Sequence, residues 1–287
     1  MRSPVRYIGW HACEQILVGH DGQRTSHLTS SPFTEDELKK YCKYKMNHAK
    51  RGIALIFNHE RFKKNTQRRR RGAAEDGRVL SSTVENLGFE VRLHKNKKWS
   101  KMKKIISRVA KEDHSDHDCL LVAIMTHGKK NGILYARDCP YDAEEVWNSF
   151  TAEKVTTLAG KPKIFLFQAC RGKKLEESTI IKSFSRDSVE GRFIIPYNVD
   201  FLMRVLSGYY SWRNKIEGSW FIQDLCKDLN EYARTEEMLS ILTNTLRRVA
   251  YTRCSNVPTD PDKDGRQEMP VFSSTLTKLL YFYETSH

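Results

Sequence analysis

No long hydrophobic run interrupts this chain. Nothing in it approaches the ~20 consecutive apolar residues that a membrane-spanning helix needs, and its mean hydropathy of −0.62 belongs to a globular protein. The amino terminus lacks the apolar segment of a secretory signal, so export is not expected and no membrane partner is expected either. A disulfide framework is also missing: seven cysteines, an odd number, fall at irregular spacing. Reduced thiols and a cytoplasmic location are the expectation. There is no internal repeat. Acidic residues are in deficit, 35 against 49 Lys and Arg, for a net charge of +14. A basic excess of this kind suits nucleic acid, an anionic membrane or acidic protein substrates. It is concentrated in Lys63–Arg71 and Lys95–Lys104 without aromatics in the arginine run. A solvated basic face is favoured, steering of acidic substrates comes next, and nucleic acid is the weakest reading.

What is present fits one large α/β domain or two small ones: 287 residues, 39% of them hydrophobic. Residues 1–43 are small, polar and charged with little periodicity and read as a mobile leader. Strands are expected at Ile53–Phe57, Phe89–Leu93, Cys119–Met125, around Gly132–Tyr135, over the run from Lys163, at Val199–Leu206, at Val271–Phe272 and at Leu279–Phe282. Helical spacing marks Ala73–Leu87, stopped by Gly88, then Trp99–Ala110, a stretch around Ala143–Phe150, Trp220–Ala233 and Glu236–Val249. Alternation of this kind predicts a mostly parallel sheet with helices on both faces. Between Arg171 and Arg192 the pattern dissolves into Lys, Glu, Ser and Thr, which makes this stretch a linker and the best internal boundary.

Two strands end in chemistry. Lys163-Ile164-Phe165-Leu166-Phe167-Gln168-Ala169-Cys170-Arg171-Gly172 is an apolar strand that finishes at a cysteine. Leu120–Met125 runs on into Thr126-His127-Gly128, an apolar strand that finishes at a histidine. A rigid strand end is a good seat for a nucleophile, with backbone N–H groups nearby for a developing oxyanion. An ordinary thiol is only a few per cent thiolate at neutral pH, so Cys170 needs a base, and His127 can serve as base and then as acid.

These two runs, with Tyr44-Lys45-Met46, Lys111–Ser115, Gly208–Asn214, Gly218–Gln223 and Leu276–Tyr283, resemble the caspases in the right order across Tyr44 to Tyr283. The likeness is greatest to the short-prodomain executioner type. It implies the caspase-like three-layer sandwich, an α/β fold with a mostly parallel central sheet. It also implies a thiol protease of apoptosis that cuts proteins after aspartate. Cys170 is the implied nucleophile, His127 the base, and the N–H groups of Gly128 and Cys170 the oxyanion hole. Two arginines and a glutamine hold the substrate aspartate: Gln168, Arg213, and Arg70 by the family's Arg-x-Gly spacing, with the register inside Arg68–Arg71 open by one residue. Planar guanidinium forks match a carboxylate. Arg171 adjoins the nucleophile but is implied to tie loops. The backbone of Ser211–Arg213 would pair with substrate as an added strand. Tyr210 and Trp212 wall a small apolar subsite, with Asn214 and Trp220 shaping a further one.

The resemblance further implies a zymogen. Asp187, the only aspartate between Cys170 and Asp200, is the expected processing site. The expected pieces are a leader at 1–43, a large subunit at 44–187 and a small subunit at 188–287. A homodimer of large/small pairs, an upstream activating caspase and inhibitor of apoptosis proteins are the implied partners. No cofactor is expected. No metal is expected either, since Asp113–Asp118 offers ligand types without a structural zinc spacing. Thr126 and Phe167 depart mildly from the family pattern. The Asn256–Glu268 loop departs more, which leaves preference beyond the aspartate open, with an acidic residue three positions upstream as the expectation. The competing reading is a catalytically weak caspase-like regulator that binds other caspases. Arginine- or lysine-directed peptidases of the same fold are disfavoured, because the matching positions are basic.

Overall fold

A computed structural model describes residues 42–64, 66–129, 132–169, 202–206, 213–214, 216–261 and 264–283. The chain divides into Met1–Lys39 and Lys40–His287, and every described residue belongs to the second unit. The leader apart from Cys42 and Lys43, the linker with Asp187, Cys170, Arg171 and the Tyr210–Trp212 stretch lie outside the described residues.

Five strands run parallel, β1 (Ile53–Asn58), β2 (Glu90–Lys95), β3 (Leu120–Met125), β6 (Lys163–Gln168) and β7 (Leu202–Leu206), with β2 on one edge. The order is β10-β7-β6-β3-β1-β2, with β10 (Val271–Ser274) antiparallel on the far edge. Two small hairpins stand apart: β4 (Ile133–Tyr135) with β5 (Pro140–Asp142), and β8 (Arg213–Asn214) with β9 (Gly218–Ser219).

β1, β3 and β6 are buried at every position, and their alternation sorts two cores. Ala54, Ile56, Leu121, Ala123, Met125, Ile164 and Leu166 face one side. There they meet Leu80 and Val84 of α1 (Ala73–Asn86), Phe221, Ile222, Leu225 and Leu229 of α4 (Trp220–Tyr232), and Ile241 and Leu242 of α5 (Met238–Thr252). Ile53, Leu55, Phe57, Leu120, Val122, Ile124, Phe165 and Phe167 face the other. They pack on Met102, Ile105, Ile106 and Val109 of α2 (Trp99–Ala110), and on Val146 and Trp147 of the short α3 (Glu144–Trp147). The result is a three-layer sandwich with a mostly parallel sheet, as expected. Among the described residues no helix is long and apolar enough to cross a membrane.

The predicted boundaries hold within three residues for the core elements. Gly88 ends α1 with φ 89, and its N–H reaches Glu85 O while that of Phe89 reaches Val84 O. One strand is corrected: among the described residues Leu279–Phe282 joins no sheet. It makes a single bridge, Lys43 with Leu279, and the Met238 N–H takes the Leu280 carbonyl at 2.9 Å. Leu280 and Phe282 are buried against the helices, so the apolar pattern reports burial without a ladder.

Candidate active site

The carboxyl ends of β3 and β6 lie side by side. Met125 pairs with Gln168, and the Thr126 N–H continues the ladder to the Gln168 carbonyl at 3.0 Å. His127 follows two residues after Met125, and in the sequence Cys170 follows two residues after Gln168. In sequence numbering His127 and Cys170 are separated by the same offset as the β3–β6 pairs. This is the end of a parallel sheet where open α/β folds bind ligands.

His127 is half-buried. Its Nε2 stands 2.8 Å from the carbonyl of Arg68, and its ring lies 5.0 Å from that of Phe62. A carbonyl oxygen only accepts, so Nε2 carries the hydrogen and Nδ1 is the basic nitrogen of the neutral ring. Sequence reasoning missed this partner, because a backbone carbonyl leaves no trace in residue type. Gly128 faces Leu134 across an antiparallel bridge whose hydrogen bonds come from its neighbours, Lys129 N–H to Ile133 O and Tyr135 N–H to His127 O. The N–H of Gly128 itself is thereby turned away from β4.

The segment that orients His127 also carries the arginine run. Arg68, Arg69 and Arg71 are exposed, whereas Arg70 is 1% exposed. The structure thus separates the four residues that the sequence left in open register, and it takes Arg70 out of the solvated basic face. Arg70 Nη1 donates to the His59 carbonyl at 2.8 Å, and Nη2 lies 3.7 Å from Asp76 Oδ2. His59 continues β1, its N–H on the Met125 carbonyl and its Nε2 on Lys97 O. Burial is the main reason its pKa falls to about 4, with Arg70 adding to the effect against the opposing Lys97 hydrogen bond, so the imidazole next to Arg70 is neutral at pH 7. Gln168 is buried at the end of β6.

The other candidate residues are placed more thinly. Arg213 and Asn214 form β8, with Arg213 opposite Ser219 and Asn214 opposite Gly218. Trp220 opens α4 and is half-buried. The 256–268 loop leaves α5 through Arg253, whose guanidinium grips Asp224 of α4 at 2.7 and 2.9 Å. It folds on itself through Ser255 N–H to Arg266 O and Arg266 N–H to Ser255 Oγ, both 2.8 Å. Within Asp113–Asp118, Asp113 holds Ser115, Asp118 holds His48 and Arg51, and His114 meets His117 through their Nδ1 atoms at 3.0 Å. Among the described residues no group of three acidic, His or Cys side chains is arranged to hold a metal.

The model of one known family, the caspase domain, matches residues 51–281. The chain is 43% identical to caspase-1 of Spodoptera frugiperda over 243 residues, 83% of this chain and 81% of that protein. It is 41% identical to caspase-1 of Drosophila melanogaster over 276 residues, 94% of this chain and 85% of that one. The crystal structure of the Spodoptera frugiperda caspase-1 superposes with a TM-score of 0.77 at 40% identity, covering 85% of this chain and 96% of the other. Identity of this extent, over a sandwich in which the strand leading to His127 ends beside Gln168 of β6, makes the chain a member of the caspase family, cysteine endopeptidases that cut after aspartate.

Proposed function

We propose that this caspase is of the executioner type, made as a zymogen and active in the cytoplasm in apoptosis. The observation that supports the site assignment is the strand register: Met125, two residues before His127, pairs with Gln168, two residues before Cys170 in the sequence, and the segment holding His127 carries buried Arg70. Relatives include caspase-3, caspase-6 and caspase-7 of vertebrates at 36–37% identity, which supports the executioner reading.

In the proposed reaction, His127 Nδ1 takes the proton of Cys170 as sulfur attacks the scissile carbonyl. Arg68 O holds the Nε2–H, so the ring cannot turn its acidic edge to the nucleophile. The oxyanion of the tetrahedral intermediate is met by the N–H groups of Gly128 and Cys170. Collapse breaks the C–N bond, and His127 returns the proton to the departing amine. Water, deprotonated by His127, then cleaves the thioester and restores the thiol. Arg70, Arg213 and Gln168 hold the aspartate side chain. Ser211–Arg213 pairs with the substrate backbone, Tyr210 and Trp212 line the next subsite, and Asn214 and Trp220 the one beyond it. Cleavage after Asp187 separates the 44–187 and 188–287 subunits, and two such pairs form the active dimer.

The test uses protein cleaved in the linker and reporter peptides that vary only at the residue before the scissile bond. Turnover of aspartate over asparagine, glutamate and lysine is expected, and its loss in Cys170→Ala. No turnover from a folded, processed dimer would favour the regulator reading. Normal activation of Asp187→Ala would move the processing site elsewhere.

A further inference from the structure

The proposed reaction gives no role to Asp76, a buried carboxylate at this end of the sheet. Asp76 lies in the first turn of α1 and is fully buried. Its Oδ1 accepts the Ser219 backbone N–H at 2.6 Å, and its Oδ2 accepts the Ser219 hydroxyl at 2.7 Å. The same Oδ2 lies 3.7 Å from Nη2 of Arg70. A buried carboxylate is tolerated only with such company. Here the company comes from two separate pieces of chain, the 68–72 segment and the β8–β9 hairpin.

The hairpin is shaped for this contact. Gly218 has φ 96, and a Cβ there would fall 2.3 Å from Asp76 Oδ1 and 2.8 Å from Gln223 Nε2. Only glycine lets the strand come close enough for the Ser219 N–H to reach the carboxylate. Ser219 is in turn the register partner of Arg213. One carboxylate therefore stands within ion-pair range of Arg70 and holds the strand that pairs with Arg213.

We infer that Asp76 is a positioning residue for substrate selection: it fixes the distance between the two arginine-bearing elements, and so the width of the aspartate pocket. This rests on the reading that Arg70 and Arg213 hold the substrate carboxylate. Charge supports the arrangement. Two guanidiniums and one fixed carboxylate sum to a single positive charge, which an aspartate side chain cancels and an asparagine side chain does not. The same carboxylate thus sets both the geometry of the pocket and its appetite for one negative charge.

The test measures kcat and KM for an aspartyl reporter peptide in the processed enzyme, for the parent, Asp76→Asn, Ser219→Ala and the double variant. In parallel, the rate at which iodoacetamide alkylates Cys170 is followed by mass spectrometry of its peptide, a reaction that needs the nucleophile and base but not the pocket. Asp76→Asn is expected to raise KM about tenfold, with a smaller fall in kcat and an alkylation rate within about twofold of the parent. Ser219→Ala keeps the charge and the backbone contact, so a rise of about threefold is expected. The double variant should add little to Asp76→Asn, because both act through one contact. KM unchanged or lowered in Asp76→Asn overturns the inference, as does alkylation slowed in step with turnover. If Asp76→Asn does not fold, Ser219→Ala decides alone by the same two criteria. Arg70→Gln separates the two levels of argument. If it too is silent, the pocket assignment fails; if it abolishes aspartate turnover while Asp76→Asn changes nothing, only the role of Asp76 fails.

Discussion

Two buried carboxylates, each near an arginine, stand at opposite ends of the same sheet. Asp118 precedes β3 at the amino end. It accepts from the His48 N–H at 2.8 Å, meets the His48 ring at 2.9 Å and binds Arg51 at 2.8 Å. Arg51 also donates to the carbonyls of Leu87, Met46 and Phe282. That guanidinium ties the start of the described chain, the end of α1 and the carboxyl-terminal segment together. Asp76 stands at the carboxyl end, where its short bonds go to Ser219 and Arg70 is 3.7 Å away, beyond hydrogen-bond length. The same pair of residue types makes a tight clamp at one end and a looser contact beside the proposed groove at the other. Burial and charge alone do not distinguish the two arginines; their distances to the carboxylate and their positions along the strands differ.

The largest expected effect breaks the site end. Arg70→Gln should lower kcat/KM for aspartyl peptides by roughly 10⁴, the scale on which a site built to pair a polar group rejects a poor fit. Initial rates at a temperature where circular dichroism shows the variant folded would check it. The counterpart at the other end is Asp118→Ala, which leaves the half-buried Arg51 without its carboxylate. A loss of about 3–5 kcal/mol in unfolding free energy is expected, while the ratio of aspartate to asparagine turnover stays that of the parent. A shift in that ratio would mean that the amino-end clamp reaches the pocket and that the contrast between the two ends is false.

His59 gives a smaller effect, read in pH. In the unfolded chain a histidine titrates near 6.5, whereas in the fold burial takes His59 down to about 4. Between those values the unfolded chain binds the proton and the folded one does not. The stabilisation is complete above pH 6.5 and is lost as the pH falls toward 4, by about 3 kcal/mol in all. Urea titrations from pH 7 to 4 should show this slope in the parent and a flatter one in His59→Gln. The buried pair next to it supplies the comparison: protonating His59 places a second positive charge beside Arg70.

Much of this architecture was legible in the sequence because the physics is periodic. Ile53–Asn58, Leu120–Met125 and Lys163–Gln168 are short runs buried on both faces, and Met102, Ile105, Ile106 and Val109 recur at helical spacing. His127 was legible because a functional side chain ended an apolar strand. Leu279–Phe282 misled for the same reason, since its apolar residues answer to burial while its backbone bonds go to Cys42, Tyr44 and Met238. Asp76 and the Arg68 carbonyl were invisible. An aspartate early in a helix reads as ordinary charge complementarity to the helix dipole, and nothing in the sequence of β9 announces that its serine sits on it.

The smallest expected effect tests whether Arg70 differs from its neighbours or merely belongs to a basic run. Arg69 is exposed and pairs with Glu60, itself only partly covered. Exposed pairs of this sort contribute little, because water screens them and ordering two long side chains costs entropy. Arg69→Ala and Arg71→Ala should therefore leave kcat/KM for a short aspartyl peptide within about twofold of the parent. If the run also steers acidic protein substrates, the two variants should slow cleavage of an acidic protein at low salt, and the difference should vanish as salt rises. A large loss on the short peptide from either variant would instead move the pocket arginine along the run. The burial that sets Arg70 apart would then describe a structural residue, a second Arg51 at the wrong end of the sheet.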